Sequence, residues 1–489
     1  MERLEAETFD LLVIGGGIIG ARVAYEAALS GRSVALIEAR DFAAGTSSAS
    51  SKLVHGGLRY LQMHDFRLVR EAHLERRALL DHVAPHLVQP RPFVVPVWRG
   101  GPHRWVTIAA GMLLYAALSG FRHSQARMIS PEHALRLVPE LQVEGMEAAG
   151  LYEDAVTDDS RLVLATVAAA AMAGAVVVNH LPVTGLDVAG GRVVGAQAGD
   201  LRVGCRTIVN AAGPWVDEVR RMEDPRAEPM IRLSKGVHLV LDAPDGWEAA
   251  VTTPLDGGRV SFALPWHGML LLGTTDSDYQ ADPDELLVDP GDVDQVLSEA
   301  AISLSPEMLA REHVRFTFAG LRALPRLSGE TTSTPRDEVI GVGPSGMISV
   351  AGGKLTTHRQ IASRVLERVF PGRWRPTEVA LPGSGGPRPS PAAPADVSPH
   401  TWQHLRDLYG DRACRVLEAG SAERIHPQGP DIWAQVAYGV NHEWALTVDD
   451  VVRRRTTLAI RGLATPSVRQ EIGTFLARRG LGSPQPAGS

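Results

Sequence analysis

The chain has 489 residues, room for about two to four domains. Hydrophobic residues make up 44% of it, charged residues 21%, and the net charge is -7. That is globular composition, which excludes wholesale disorder, a collagen-like repeat and a polytopic membrane protein, and it lacks the basic balance of a nucleic-acid binder. The cysteines, Cys205 and Cys414, lie far apart, so a disulfide framework is excluded and a thiolate zinc site is not expected; a reducing cytoplasm fits.

Residues 1–8 are acidic and polar, unlike a signal peptide. Residues 9–14 (FDLLVI) predict a buried strand, followed by Gly15-Gly16-Gly17-Ile18-Ile19-Gly20, a helix over 21–29 and a second strand over 33–37 that ends at Glu38. This is a compact βαβ unit. In that context Gly15, Gly17 and Gly20 read as a dinucleotide fingerprint: one glycine for the tight turn, one for close approach of a pyrophosphate, one for helix–strand packing. The helix N-terminus offers N–H groups to phosphate, and acidic Glu38 suits ribose hydroxyls rather than a 2′-phosphate. FAD and NAD both remain open at this point. The stretch 45–60 follows, with small hydroxyl residues, then Lys52, His55, Gly56, Gly57, Arg59 and Tyr60. Such a loop can wrap a pyrophosphate while presenting cations to a substrate.

Residues 106–121 form an apolar run bracketed by Arg104 and Arg122, shorter than the ~20 residues that span a bilayer. A buried helix and a helix lying in a membrane interface both fit. Residues 162–178 predict a helix and then a strand. Stretches 192–198, 201–209, 231–241 and 269–273 are β-rich and predict a second, mostly β layer inserted into the first domain. A late strand over 348–351 precedes Gly352-Gly353 and a helix over about 355–369. Residues 376–399 have the Pro-rich composition of a linker, 400–479 are helical, and 480–489 are expected to be loose. The first domain thus spans 1–375, with cap segments near 85–150 and 225–330. Only three of the 49 cations are lysines, which draws attention to Lys354.

Taken together, VIGGGIIGA, GTSSASSKLVHGGLRYL, DDSRLVLA, NAAGPWVD, KGVHLVL, GTTDSDY, GGKLTTHR and NHEWALTVDDVVRRRT resemble the FAD-dependent, quinone-linked glycerol-3-phosphate dehydrogenases over nearly the whole chain. The resemblance implies a mixed α/β fold: a Rossmann-like FAD-binding domain, a β-rich cap and a C-terminal helical domain. It implies oxidation of sn-glycerol 3-phosphate to dihydroxyacetone phosphate, with hydride passing from C2 to FAD N5 and electrons passing to a membrane quinone. The expected setting is cytoplasmic, peripheral on the inner face of the cell membrane, with a homodimer as a further expectation and no nucleic acid or metal.

Residue by residue, the resemblance makes Arg59, Tyr60, Lys354 and Arg336 substrate contacts and Arg322 a group that polarises the hydroxyl end. His238 and His55 are both candidates for the catalytic base; His238 is favoured, since alternation of Val237, Leu239 and Leu241 turns it to the opposite strand face, with His55 then on the flavin side. The cofactor set is Gly15, Gly17, Gly20, Glu38, Thr46, Ser47, Ser48, Lys52, Leu53, Ala212, Gly213, Gly353, Leu355 and Thr356, with the 352–357 turn facing the reduced ring from a helix N-terminus. Ile19 and Arg22 depart from the family pattern beside the pyrophosphate loop. Competing readings are a glycerol-3-phosphate oxidase using oxygen, an amine or amino-acid oxidase, and a non-catalytic flavin binder.

Overall fold

The structure is a computed structural model that describes residues 2–57, 65–101, 105–120, 126–255, 258–326, 338–385 and 392–481. Its first layer is a six-stranded sheet in the order Glu338–Val342, Ile348–Gly352, Ile208–Asn210, Leu11–Ile14, Val34–Ile37, Val176–Val178. All neighbours are parallel except the first pair. Leu11–Ile14 and Val34–Ile37 are buried at every position, as central parallel strands covered on both faces must be. The helices Ile18–Leu29, Asp159–Met172 and His358–Val369 pack there in one core. Asp158 starts the Ala-rich second helix by accepting from the Arg161 N–H at 2.9 Å.

The stretches 192–198 and 201–209 do not join the second layer, contrary to the expectation from their β-rich composition. Arg192–Ala198 and Leu201–Cys205 sit in a small four-stranded sheet with Thr8–Phe9 and Val183–Ala189, on the first domain. A break at Arg206 and Thr207 sends Ile208–Asn210 into the six-stranded sheet. The β-rich composition of 192–198 was legible, but nothing local says which sheet receives it.

The cap is a larger sheet. Its path runs Ser277–Tyr279, Ile231–Asp242, Met269–Gly273, Val260–Trp266, Ala250–Pro254, Val88–Trp98, Met146–Thr157, Leu53–Val54. Val314–Pro325 pairs along nearly the whole of Ile231–Asp242. The apolar run becomes the helix Trp105–Leu118, which buries Met112, Tyr115 and Ala116 on this sheet and exposes Trp105, Val106, Leu113 and Leu114. Arg104, Phe121 and Arg122 lie outside the described residues. Among the described residues, no helix is long and apolar enough to cross a membrane.

The Pro-rich segment is not wholly a free linker. The Thr377 carbonyl accepts from Arg22 and Arg359, each at 2.8 Å, and the Leu381 N–H donates to the Val83 carbonyl at 2.7 Å with its side chain buried. Proline-rich composition marks irregular backbone, which here is pinned by side chains distant in sequence. Helices Pro399–Tyr409, Ala413–Glu418, Trp433–His442 and Pro466–Ala477 build the C-terminal domain around two apolar clusters.

Candidate active site

The glycine turn has the geometry its spacing predicts. Gly15 has φ +107°, and a Cβ there would stand 2.6 Å from the Ala211 carbonyl oxygen. A Cβ on Gly20 would stand 1.9 Å from the Gly15 oxygen, so only glycine lets the helix seat on the strand. Gly17 is the N-cap of Ile18–Leu29. Glu38 accepts from the N–H of Gly16 at 2.6 Å and of Arg40 at 2.8 Å; burial pushes its carboxyl up, against those two bonds. Ser47 Oγ accepts the Ile18 N–H at 3.0 Å, closing the 46–51 loop over the helix start.

A cavity of about 750 Å³ runs from this turn into the cap. It brings together Gly15, Gly17, Glu38, Thr46, Ser47, Leu53, His55, Ala212, Gly213, His238, Arg322, Gly353, Lys354, Leu355 and Thr356. Gly20 supports the cradle from behind. Ser48 does not line the cavity, and Lys52 is turned away from it. The Lys52 ammonium is buried against Asp159 and donates to the Ser48 carbonyl at 2.7 Å, with φ +59° aiming it inward. Arg59, Tyr60 and Arg336 lie outside the described residues. The 352–357 stretch is a turn lining the cavity, and the helix begins only at His358. Ile19 lines the cavity, whereas Arg22 is fully buried away from it, bonded to Glu26 and Thr377.

The cap wall follows from strand register. Ile231–Asp242 and Val314–Pro325 pair Ser234 with Arg322, Gly236 with Gly320 and His238 with Phe318. These alternate positions share a face. The two glycines open a gap across the ladder: a Cβ on Gly236 would stand 2.4 Å from an Arg322 guanidinium nitrogen, and one on Gly320 would stand 2.6 Å from the Ala49 carbonyl oxygen. The cofactor-side loop therefore seats directly on the cap, and Thr46 Oγ1 donates to the Leu321 carbonyl at 2.6 Å. Arg322 is held as a fork, donating to Thr274 Oγ1 at 2.9 Å and the Thr275 carbonyl at 3.0 Å and facing Asp276 at 3.3 Å. His238 stacks on Phe318 at 4.9 Å and contacts Ser51 Oγ through Nε2 at 2.9 Å. Burial first, then the charges of Arg322 and Lys52, push its imidazolium down to about 3, so the ring is neutral near pH 7.

Several residues escaped the sequence reading. Ser51 and Asp159 sit inside motif strings, but their roles depend on the turn that Lys52 forces. Asp154 lines the cavity and accepts from the Gly56 N–H at 3.0 Å and the Tyr115 hydroxyl at 2.7 Å. Gly56 has no room for a side chain, which would meet His73 at 2.4 Å. Two adjacent glycines signalled that crowding; nothing in the sequence named its source.

Residues 10–359 match the family model described as FAD dependent oxidoreductase, and residues 348–479 match the C-terminal domain of alpha-glycerophosphate oxidase. The glycine turn, the β-rich cap and the family match over residues 10–359 thus define an FAD-dependent oxidoreductase. The chain is 36% identical to the glycerol-3-phosphate dehydrogenase of Synechocystis sp., over 94% of this chain and 90% of that protein. It is 35% identical to that of Mycobacterium leprae, over 95% and 84%. The solved glycerol-3-phosphate dehydrogenase from Bacillus halodurans, complexed with FAD, superposes with a TM-score of 0.74 at 28% identity, over 98% of this chain and 95% of that one. The chain belongs to the glycerol-3-phosphate dehydrogenase family. The L-alpha-glycerophosphate oxidase of Mycoplasma pneumoniae shares the fold, with a TM-score of 0.61 at 18% identity.

Proposed function

We propose that this chain oxidises sn-glycerol 3-phosphate to dihydroxyacetone phosphate and passes the electrons to a membrane quinone. The observation that carries the reading is the single cavity joining the glycine cradle to Arg322, Lys354 and His238. The cradle residues fit FAD: Gly15 and Gly17 admit the pyrophosphate, Glu38 suits the ribose, and the 46–47 hydroxyls lie along the path to the cap. Bound FAD supplies the acceptor for a hydride from C2.

The rest is the work of this chain. Arg322 and Lys354 bring positive charge to a dianionic substrate, and the fork of Arg322 fixes its orientation. In this reading Arg59 and Tyr60 complete the phosphate contacts, and Arg336 adds to the anion pocket. The neutral imidazole of His238 takes the hydroxyl proton, and His55 lies against the Thr356 turn, where its N–H donates to Oγ1 at 3.1 Å. The apolar walls Phe93, Val95 and Tyr152 exclude water from the cap side.

The quinone and the membrane surface enter through the helix Trp105–Leu118. Its outer face is apolar, and Ile108 on the same helix lines the cavity. A lipid interface covers such a face, with Arg67 and Arg70 of the neighbouring helix Phe66–Ala78 available to acidic headgroups. Anaerobic addition of sn-glycerol 3-phosphate bleaches the flavin band of the purified protein if the reading holds, and leaves it unchanged if not. Reoxidation by a short-chain quinone without peroxide separates a dehydrogenase from an oxidase. Replacement of Leu113 and Leu114 by Glu abolishes flotation with anionic liposomes; absence of flotation in the unaltered protein removes the membrane role.

A further inference from the structure

The favoured base does not stand alone. His238 is 4% exposed, its ring lies on Phe318 with planes 10° apart, and a Cβ on Gly273 would stand 2.6 Å from its Cδ2. The ring is thus clamped in plane. Its Nδ1 is buried with no hydrogen-bond partner among the described residues, while Nε2 meets the Ser51 hydroxyl at 2.9 Å. Ser51 itself lines the cavity.

The turn that presents Ser51 is fixed by unusual means. Lys52 adopts φ +59° and sinks its ammonium against Asp159, and Asp159 also accepts from the Ser50 N–H at 3.0 Å and the Ser50 hydroxyl at 2.7 Å. Leu53 then pairs into the cap sheet opposite Val156. A left-handed, non-glycine residue with a wholly buried charge costs stability, and here it aims one hydroxyl at one imidazole.

We propose that Ser51 is a catalytic residue that relays the substrate's hydroxyl proton to His238, an inference that rests on the function proposed above. As the C2–H bond yields its hydride and both electrons to the bound flavin, the C2 O–H proton passes to Ser51 Oγ. The proton already on Ser51 passes to His238 Nε2, and the C2=O bond forms. Serine ends unchanged and His238 ends as imidazolium. The relay requires the resting ring proton on Nδ1, leaving Nε2 as acceptor from Ser51. The charged groups that bear on the ring are Arg322 from strand Val314–Pro325 and Lys52 from the turn. A bound phosphate dianion offsets the first of these and eases charging of the ring.

The test uses holoenzyme labelled with 15N-histidine, with the His238 signals assigned from H238N. The expected result is a neutral His238 whose Nε2 is unprotonated and hydrogen-bonded, a shift that S51A removes and S51T restores. A protonated Nε2, or a signal indifferent to S51A, overturns the relay. In anaerobic rapid mixing, S51A slows flavin reduction by sn-glycerol 3-phosphate about 100-fold with little change in KM, and S51T recovers to within about tenfold. A rate unchanged in S51A also overturns it. If S51A fails to take up flavin, S51C, close in volume and a weak hydrogen-bonding partner, carries the same two measurements. Failure of unaltered holoenzyme to bleach overturns the proposed function itself, and the relay with it; bleaching that is normal in both overturns the relay alone.

Discussion

Two buried ion-pair clusters flank the cofactor loop, and they have different consequences. Asp41, just past the strand Val34–Ile37, accepts from Arg455 at 2.6 and 2.7 Å and from Arg454 at 2.5 Å, with all three side chains at most 7% exposed. Its partners lie in the C-terminal domain, so the cluster fastens one domain to another. Arg161–Glu443 at 2.6 Å does the same a short way off. Lys52–Asp159 is equally buried, yet it joins a loop to a helix of the same domain and shapes a five-residue turn. The chemistry of pairing is shared; what differs is whether the pair holds two bodies together or sets the direction of a neighbouring hydroxyl.

The largest effect is expected from D41N, which keeps the shape and removes the charge. Arg454 and Arg455 are then left buried without their shared counter-ion, a loss of about 3–5 kcal/mol. Urea unfolding followed by tryptophan emission should show an early transition, since Trp444 packs edge-on against Phe42 at 5.6 Å beside this junction. The amount of flavin bound per chain should change little below that transition. A D41N protein that unfolds at the same urea concentration as the parent would mean that apolar contacts alone seat the C-terminal domain.

The second cluster separates stability from rate. K52M alone strands the Asp159 carboxylate and costs about as much as D41N. K52M/D159L replaces the pair with apolar groups of similar volume and should recover most of the stability, because a well-packed substitute for a buried pair is about neutral. Ser50 nevertheless loses its acceptor and Ser51 its direction, so flavin reduction should stay roughly 10 to 100 times slower than in the parent, the scale of a misplaced reacting group. Recovery of both properties in the double variant would erase the distinction between the two clusters.

How much of this was legible depends on whether the physics is local. The βαβ unit was, because Gly15, Gly17, Gly20 and Glu38 act within one turn and the strand after it. His238 facing away from Val237, Leu239 and Leu241 followed from period-two alternation alone. The expectation for Lys52 was a cofactor contact; the left-handed backbone that turns its ammonium to Asp159 leaves no mark in composition. The pairing of Gly236 with Gly320 depends on register between strands about 80 residues apart, which no window of sequence contains. Arg22 looked like a threat to the pyrophosphate loop; helix rotation carries it to Glu26 and to a carbonyl more than 350 residues away.

The smallest effect sharpens the domain junction through pH. His180 Nε2 meets Asp450 Oδ2 at 2.9 Å. That hydrogen bond raises the imidazolium pKa above the ordinary histidine value of about 6.5; burial and Arg454 oppose the rise, and the charges of Asp450 and Asp41 add to it. A folded pKa above the unfolded one means that the native state holds the proton more tightly. The contribution is therefore complete below about pH 6.5 and disappears as pH climbs through the folded value. Asp450 runs the other way. Against burial, its bond to His180 and the charges of Arg454 and Arg455 hold its carboxyl below the ordinary aspartate value of about 3.9, so its share is present above that pH and fades in acid. The pair is thus at full strength between about pH 4 and 6.5. H180N should cost about 1 kcal/mol or less at pH 5.5, the scale of a partly exposed pair, and nothing at pH 9, read as the difference in urea midpoint from the parent at each pH. An equal cost at both would show that His180 serves as a neutral hydrogen-bonding group, leaving Arg454 and Arg455 as the charges that answer Asp450 and Asp41 at this junction among the described residues.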